Sequence, residues 1–341
     1  MPAIRGVLLG AIALLSALVL GACSTATPTG DASLSVLCSN DSSICSQWAE
    51  DFTQSTGTPV TMVRMPTSEA LSRLEHAGAV PEFDVWHGGP AEFYQRAAQE
   101  GLLAPYEPRD SQDIPASLRD PGNRWTGVYA SVLAMCSDPD RLAELGVPAP
   151  KTWQDLLDPR LQGLVSASSP RTSGTAYTLM FTQYQRLGPD ASRDYLRSLY
   201  AQVQQFTRSG TAPARTVASG EAAVALVFAP YCTPGALGGE GLEVTLPSDG
   251  TGYEVGAVAL VRGAPHADRA RIYIDHAVSQ TGQTACRKVG IEQLPTDSTL
   301  AGNISELLAS PGSGILPSDV ALRARMHDSL IGWLTDSGFD G

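Results

Sequence analysis

From Leu34 onward, short apolar runs alternate with amphipathic stretches, and that alternation restricts the chain to few architectures. Leu34 to Leu37 reads as a strand, Ser46 to Thr53 as a helix, Val60 to Met65 as a strand and Ser68 to His76 as a helix stopped by Gly78. Phe83 to Trp86 is the next strand. Gly88 and Gly89 then turn the chain, Pro90 stands at a first helical position, and a helix over 91–100 ends at Gly101. Strand followed repeatedly by helix predicts an α/β fold with a largely parallel sheet. Gly127 to Met135 alternates along its whole length and reads as a long strand crossing between two lobes. A chain of 341 residues has room for about two domains of roughly 150 residues each.

The first 22 residues read as an export signal: Arg5 is followed by an apolar run from Val7 to Leu20, too short for a comfortable membrane span. Leu20-Gly21-Ala22-Cys23 resembles a bacterial lipobox, which implies lipid on Cys23, a tether over 23–32, and a protein anchored to the outer face of the cell membrane through that lipid alone. Export permits disulfides. Cys38 and Cys45 lie seven apart and suit a local bridge; Cys136, Cys232 and Cys286 leave an odd thiol, with Cys232–Cys286 the preferred pair. Neither a CxxC nor the Cys/His spacing of a zinc site is present. The net charge of −12, with Lys151 and Lys288 the only lysines and the arginines scattered, argues against nucleic acid as a partner.

The chemistry concentrates where strands are expected to hand over to helices. In Ser168 to Tyr177, the hydroxyls of Thr172, Ser173 and Thr175, the close approach allowed by Gly174 and the charge of Arg171 would together hold an anion at a helix start. A capped helix alone accounts for the same residues. The device recurs at Arg208 to Pro213, where Ser209, Gly210 and Thr211 again open a helix. No G-x-S-x-G elbow, H-E-x-x-H helix or P-loop is present, so the sequence carries no enzyme motif of those kinds. The stretch from Arg323 to Arg325 reads as a solvated face.

Asp84-Val85-Trp86-His87-Gly88-Gly89, Gly101-Leu102-Leu103, Thr152-Trp153-Gln154-Asp155, Thr172-Ser173-Gly174-Thr175, Ser209-Gly210-Thr211-Ala212-Pro213 and Gly252-Tyr253-Glu254-Val255-Gly256 occur in an order that resembles one family. It is the bacterial extracellular solute-binding proteins related to ferric-ion, thiamine, phosphonate and sugar-phosphate binders. The resemblance implies a two-lobed type 2 periplasmic-binding-protein fold, each lobe a mostly parallel sheet flanked by helices and joined by hinge strands. It also implies a lobe division of 33–130 plus 250–290 and 131–249 plus 291–341. On this reading the protein is not an enzyme, needs no cofactor, acts as a monomer, and delivers a small solute to an ABC permease driven by a cytoplasmic ATPase. The implied ligand residues are Ser39, Trp86, His87, Gly88, Arg171, Thr172, Ser173, Gly174, Thr175, Ser209, Gly210, Thr211, Tyr231, Tyr253 and Glu254. A phosphate- or phosphonate-bearing solute is favoured. The ferric alternative would use His87, Tyr231 and Glu254, but Phe228-Ala229-Pro230-Tyr231-Cys232 lacks the paired tyrosines that ferric binders of this kind often carry.

Overall fold

A computed structural model describes residues 33–336; the stretches expected to be an export signal (1–22) and a lipidated tether from Cys23 to residue 32 lie outside the described residues. The described chain begins β1 (Leu34–Cys38), α1 (Ser42–Thr56), β2 (Val60–Arg64), α2 (Thr67–Glu75), β3 (Val85–Pro90), α3 (Ala91–Gln99), β4 (Leu103–Ala104) and β5 (Thr126–Ser137). It continues through α4 (Pro139–Leu145), β6 (Val165–Ser168), α5 (Gly174–Leu187), α6 (Pro189–Tyr200), β7 (Val203–Thr207), α7 (Ala212–Ala218), β8 (Val224–Phe228), α8 (Pro234–Leu237) and β9 (Glu243–Thr245). It closes with β10 (Tyr253–Val261), α9 (Ala267–Val278), α10 (Gln280–Thr284), β11 (Leu294–Pro295), α11 (Ile304–Ala309) and α12 (Val320–Asp336).

The strands run in the order β2-β1-β3-β10-β5-β8-β6-β7. β1 is parallel to both β2 and β3, and β8 and β7 are each parallel to β6. Between these parallel groups, β10 is antiparallel to β3 and β5, and β5 is antiparallel to β8. β5 joins the two lobes: residues 126–132 pair with β10 in the first, and residues 133–137 pair with β8 in the second. This is the mixed α/β architecture of type 2 periplasmic binding proteins. All twelve residues of β5 are buried, which explains its continuous run of small and apolar side chains.

α1 is longer than the apolar period predicts, because the Asp41 side chain accepts from the Ser43 amide at the start and Gly57, at φ 72°, ends it. In β3, successive side chains take opposite faces. Trp86 stacks on Tyr94 of α3 at 4.0 Å, while His87 stacks on Trp48 of α1 at 3.6 Å. The sheet of the first lobe is therefore covered on both sides.

Three expectations are corrected. Cys38–Cys45 is bridged, but the second disulfide is Cys136–Cys232, and Cys286 is a buried free thiol. β8 lies antiparallel beside β5, and the turn over Ala229–Cys232 folds back so that Cys232 comes within 6.3 Å of Cys136, Cα to Cα. Cys286 sits instead in a turn packed on α1 of the first lobe. Second, β11 pairs with Ala130 and Tyr129 of β5, so the chain after residue 290 first returns to the first lobe's sheet before α12 packs on both α3 and α5. Third, Arg323 is no surface residue: its side chain is 3% exposed and pairs with Glu92 at 2.5 Å.

Candidate functional site

The parallel strands of each lobe point their C-terminal ends toward the other lobe, where ligands collect in open α/β sheets. A cavity of about 30 Å³ lies there, room for about two water molecules. The first lobe contributes Ser39 and Asn40 after β1, Arg64 at the end of β2, Thr67 at the start of α2, and Gly89 and Pro90 at the end of β3. The second lobe contributes Ser173 and Thr175 at the start of α5, Gly210 and Thr211 before α7, and Tyr231 after β8. Glu254 enters from β10.

Local sequence places each of these groups. Ser173 caps α5, its hydroxyl accepting from the Ala176 amide and from the Ser168 hydroxyl at 3.0 Å. A Cβ on Gly210 would collide with Thr175 Oγ1, so only glycine lets the two helix starts approach this closely. Gly174 likewise faces Pro90, whose Cδ would stand 2.6 Å from an added Cβ. Across the cavity the Tyr231 hydroxyl donates to Asn40 Oδ1 at 2.7 Å. Arg64 donates to the Asn40 carbonyl at 2.9 Å and to Ser209 Oγ at 2.5 Å. At the rim, Arg215 pairs with Asp41 at 2.5 Å, Arg208 pairs with Glu69, and the Ser68 amide donates to the Thr172 carbonyl at 3.2 Å.

Of the residues predicted for the site, Ser39, Ser173, Thr175, Gly210, Thr211, Tyr231 and Glu254 line this cavity together. Ser209 stands just behind, as the acceptor for Arg64. The others take different places. Trp86 is wholly buried and donates from Nε1 to Ser39 Oγ at 3.0 Å, so it orients a lining hydroxyl and offers no face to the cavity. His87 lies under α1 and α9, its Nδ1 2.9 Å from the Tyr273 hydroxyl, because its position in β3 turns it away from the cleft. Of the alternative ferric set, Tyr231 and Glu254 share the cavity but His87 lies away from it, and no group of three His, Cys, Asp or Glu side chains suited to a metal occurs among the described residues. Gly88 accepts from the Tyr94 hydroxyl through its carbonyl, and Thr172 donates to the Arg208 carbonyl. Arg171 is exposed and reaches Thr335, and Tyr253 is buried with its carbonyl accepting from Arg323. Sequence reasoning missed Asn40, Arg64, Thr67 and Gly89. The position of Asn40, Arg64 and Gly89 at or just after strand C-terminal ends, and of Thr67 at a helix start, was the available signal.

The family model described as bacterial extracellular solute-binding protein matches residues 81–306. The chain belongs to that family. An uncharacterized protein of Haemophilus influenzae is 34% identical over 262 residues, covering 75% of this chain and 76% of that one. A putative 2-aminoethylphosphonate-binding periplasmic protein of Salmonella typhi is 26% identical over 239 residues, 68% of each chain. Among solved structures, the periplasmic binding protein AfuA of Actinobacillus pleuropneumoniae, with exogenous fructose-6-phosphate bound, superposes with a TM-score of 0.83 at 30% identity. The match covers 90% of this chain and 98% of that one. Members of the family are binding proteins that capture small solutes outside the cytoplasm and work with ABC permease components. No described helix is long and apolar enough to cross a membrane.

In this solute-binding protein the cavity's charges are unevenly matched. Burial pulls the Arg64 guanidinium below its ordinary value, yet a guanidinium stays charged. Burial also pushes Asp41 upward, but the Ser43 amide and hydroxyl, and then Arg215, outweigh it and hold the carboxylate below its usual range. Glu254 is raised well above the ordinary carboxyl value, first by burial and then by Glu92, with Arg323 and a Ser131 hydrogen bond opposing. The Tyr231 phenol is likewise raised, chiefly by burial.

Proposed function

We propose that this protein captures a small anionic solute bearing a phosphate or phosphonate group between its lobes and hands it, chemically unchanged, to an ABC permease powered by a cytoplasmic ATPase. It acts as a monomer held at the outer face of the cell membrane by lipid on Cys23. The observation that carries the ligand class is Arg64. This cation lines the cavity, hydrogen-bonds only to the neutral Asn40 carbonyl and Ser209 hydroxyl, and has no carboxylate within 4.0 Å among the described residues. A half-buried guanidinium whose nearest carboxylates, Asp41 and Glu69, act only from beyond contact distance is incompletely compensated, and a bound oxyanion completes it. The start of α5 adds hydroxyls and a favourable helix dipole on the opposite wall.

The fructose-6-phosphate bound to AfuA and the 2-aminoethylphosphonate named for the Salmonella typhi relative both present such an oxyanion. Hinge motion about β5 would widen the cavity to admit the rest of a solute. Calorimetric titration with 2-aminoethylphosphonate, fructose 6-phosphate and inorganic phosphate tests the reading. Binding of at least one is expected, with Arg64→Met weakening it by about 1.5 to 3 kcal/mol, the worth of hydrogen bonds to a charged group. No binding of any of the three, or affinity unchanged in the variant, would refute it.

A further inference from the structure

An acidic side chain facing a site for an anion is a contradiction unless it plays a defined part. Glu254 is such a side chain: it lines the cavity with Arg64, its residue is only 3% exposed, and no cation lies within 4.0 Å of it among the described residues. We infer that Glu254 meets the ligand as a hydrogen-bond donor, its carboxyl giving a proton-bearing contact to an unprotonated phosphate or phosphonate oxygen. The inference rests on the anion reading above and adds to it a second donor to the oxyanion, opposite Arg64.

Burial and the neighbouring Glu92 favour the acid form and outweigh the opposing pull of Arg323 and the Ser131 hydrogen bond. On β5, Ser131 stands opposite Glu254 in the antiparallel register and supplies a neutral hydroxyl. From α3 comes a second carboxylate, Glu92, and from α12 its partner Arg323. That guanidinium is already engaged by Glu92, the Tyr253 carbonyl at 2.8 Å and the Thr178 hydroxyl at 2.6 Å. The phenols of Tyr94, Tyr129 and Tyr231 complete the neighbourhood, all three with ionisation pushed far up by burial and by Glu254 itself. Across the cavity, Arg64 is left for the ligand. An ionised Glu254 would repel the anion that Arg64 attracts, whereas the neutral acid offers an O–H and removes the conflict.

The test uses the full chain, with inorganic phosphate and methylphosphonate as probes in calorimetric titrations of wild type, Glu254→Ala and Glu254→Gln. Circular dichroism confirms folding of each variant. Glu254→Ala is expected to weaken binding at least tenfold, and Glu254→Gln, which keeps an N–H donor but cannot ionise, to restore most of the loss. Taking the ratio of dissociation constants, Gln variant over wild type, at each pH cancels the probe's own titration. That ratio should fall as the pH rises and the wild-type carboxyl ionises. A Gln variant as weak as the Ala variant, with a ratio independent of pH, would overturn the inference and make Glu254 a carboxylate that receives a donor. If the Ala variant does not fold, the pH course of the Gln ratio decides alone. Failure of the wild type to bind either probe, with fructose 6-phosphate and 2-aminoethylphosphonate failing as well, would instead remove the anion reading and this inference with it.

Discussion

Replacing His87 by Phe should flatten the acid side of the stability profile. In the folded protein His87 is wholly enclosed, stacked on Trp48, with Nδ1 against the Tyr273 hydroxyl and Nε2 without a partner among the described residues. Burial, with a smaller contribution from His276, pushes its imidazole down to about 3. In the unfolded chain a histidine titrates near 6.5. Above about pH 6.5 both states hold it neutral, and the residue costs nothing through ionisation. As the pH falls, the unfolded chain takes up a proton that the folded imidazole refuses. Stability is then lost at about 1.4 kcal/mol per pH unit until the folded value is reached. Between about pH 6.5 and 4.5 the loss attributable to this one residue is about 2 to 3 kcal/mol. Phe keeps the aromatic stack and leaves the Tyr273 hydroxyl unpaired, a cost of about 1 to 3 kcal/mol that does not vary with pH. Urea unfolding of both proteins at about pH 7, 5.5 and 4.5 separates the two effects, since the carboxylates titrate alike in each. The variant should start less stable and close the gap as the pH drops. A gap constant across that range would refute the reasoning and mean that His87 accepts a proton in the folded state.

Arg323→Met should destabilise by about 3 to 5 kcal/mol in urea unfolding, because Glu92 would be left buried and uncompensated. The double variant Glu92→Gln with Arg323→Met should recover part of that loss, and a single variant costing under about 1 kcal/mol would show that the pair is solvated. Removing Cys136–Cys232 by paired alanines should cost about 5 kcal/mol on the loop-entropy estimate and removing Cys38–Cys45 about 2, since the first closes 96 residues and the second 7. Thermal unfolding of the two double variants tests this order, and the reverse order would refute it.

Much of the architecture was legible because it is written locally. The alternation around Val85 and the capping by Ser173 specify element type through backbone geometry and hydrogen bonds that reach only a few residues. The hydroxyl-rich helix starts at Ser173 and Gly210 were visible for the same reason, and both reach the cavity. Arg64 was not visible, since an arginine ending an amphipathic strand looks like any solvated charge until the opposite lobe brings Ser209 against it. His87 and Trp86 were misplaced because β3 is buried on both faces, and alternation cannot tell the cleft from the core when neither face is wet. Cys232 found Cys136 because β8 pairs with β5, a choice of neighbour made by the sheet. Arg323 lies far along the chain from Glu92, and only the packing of α12 on α3 turns an apparently exposed charge into a buried pair. The sequence by itself determined the α/β class and the order of its main strands and helices. Tertiary structure alone decided which polar groups share the cavity, because desolvation and charge pairing depend on what lies across a gap in space, and local periodicity records only what lies along the chain.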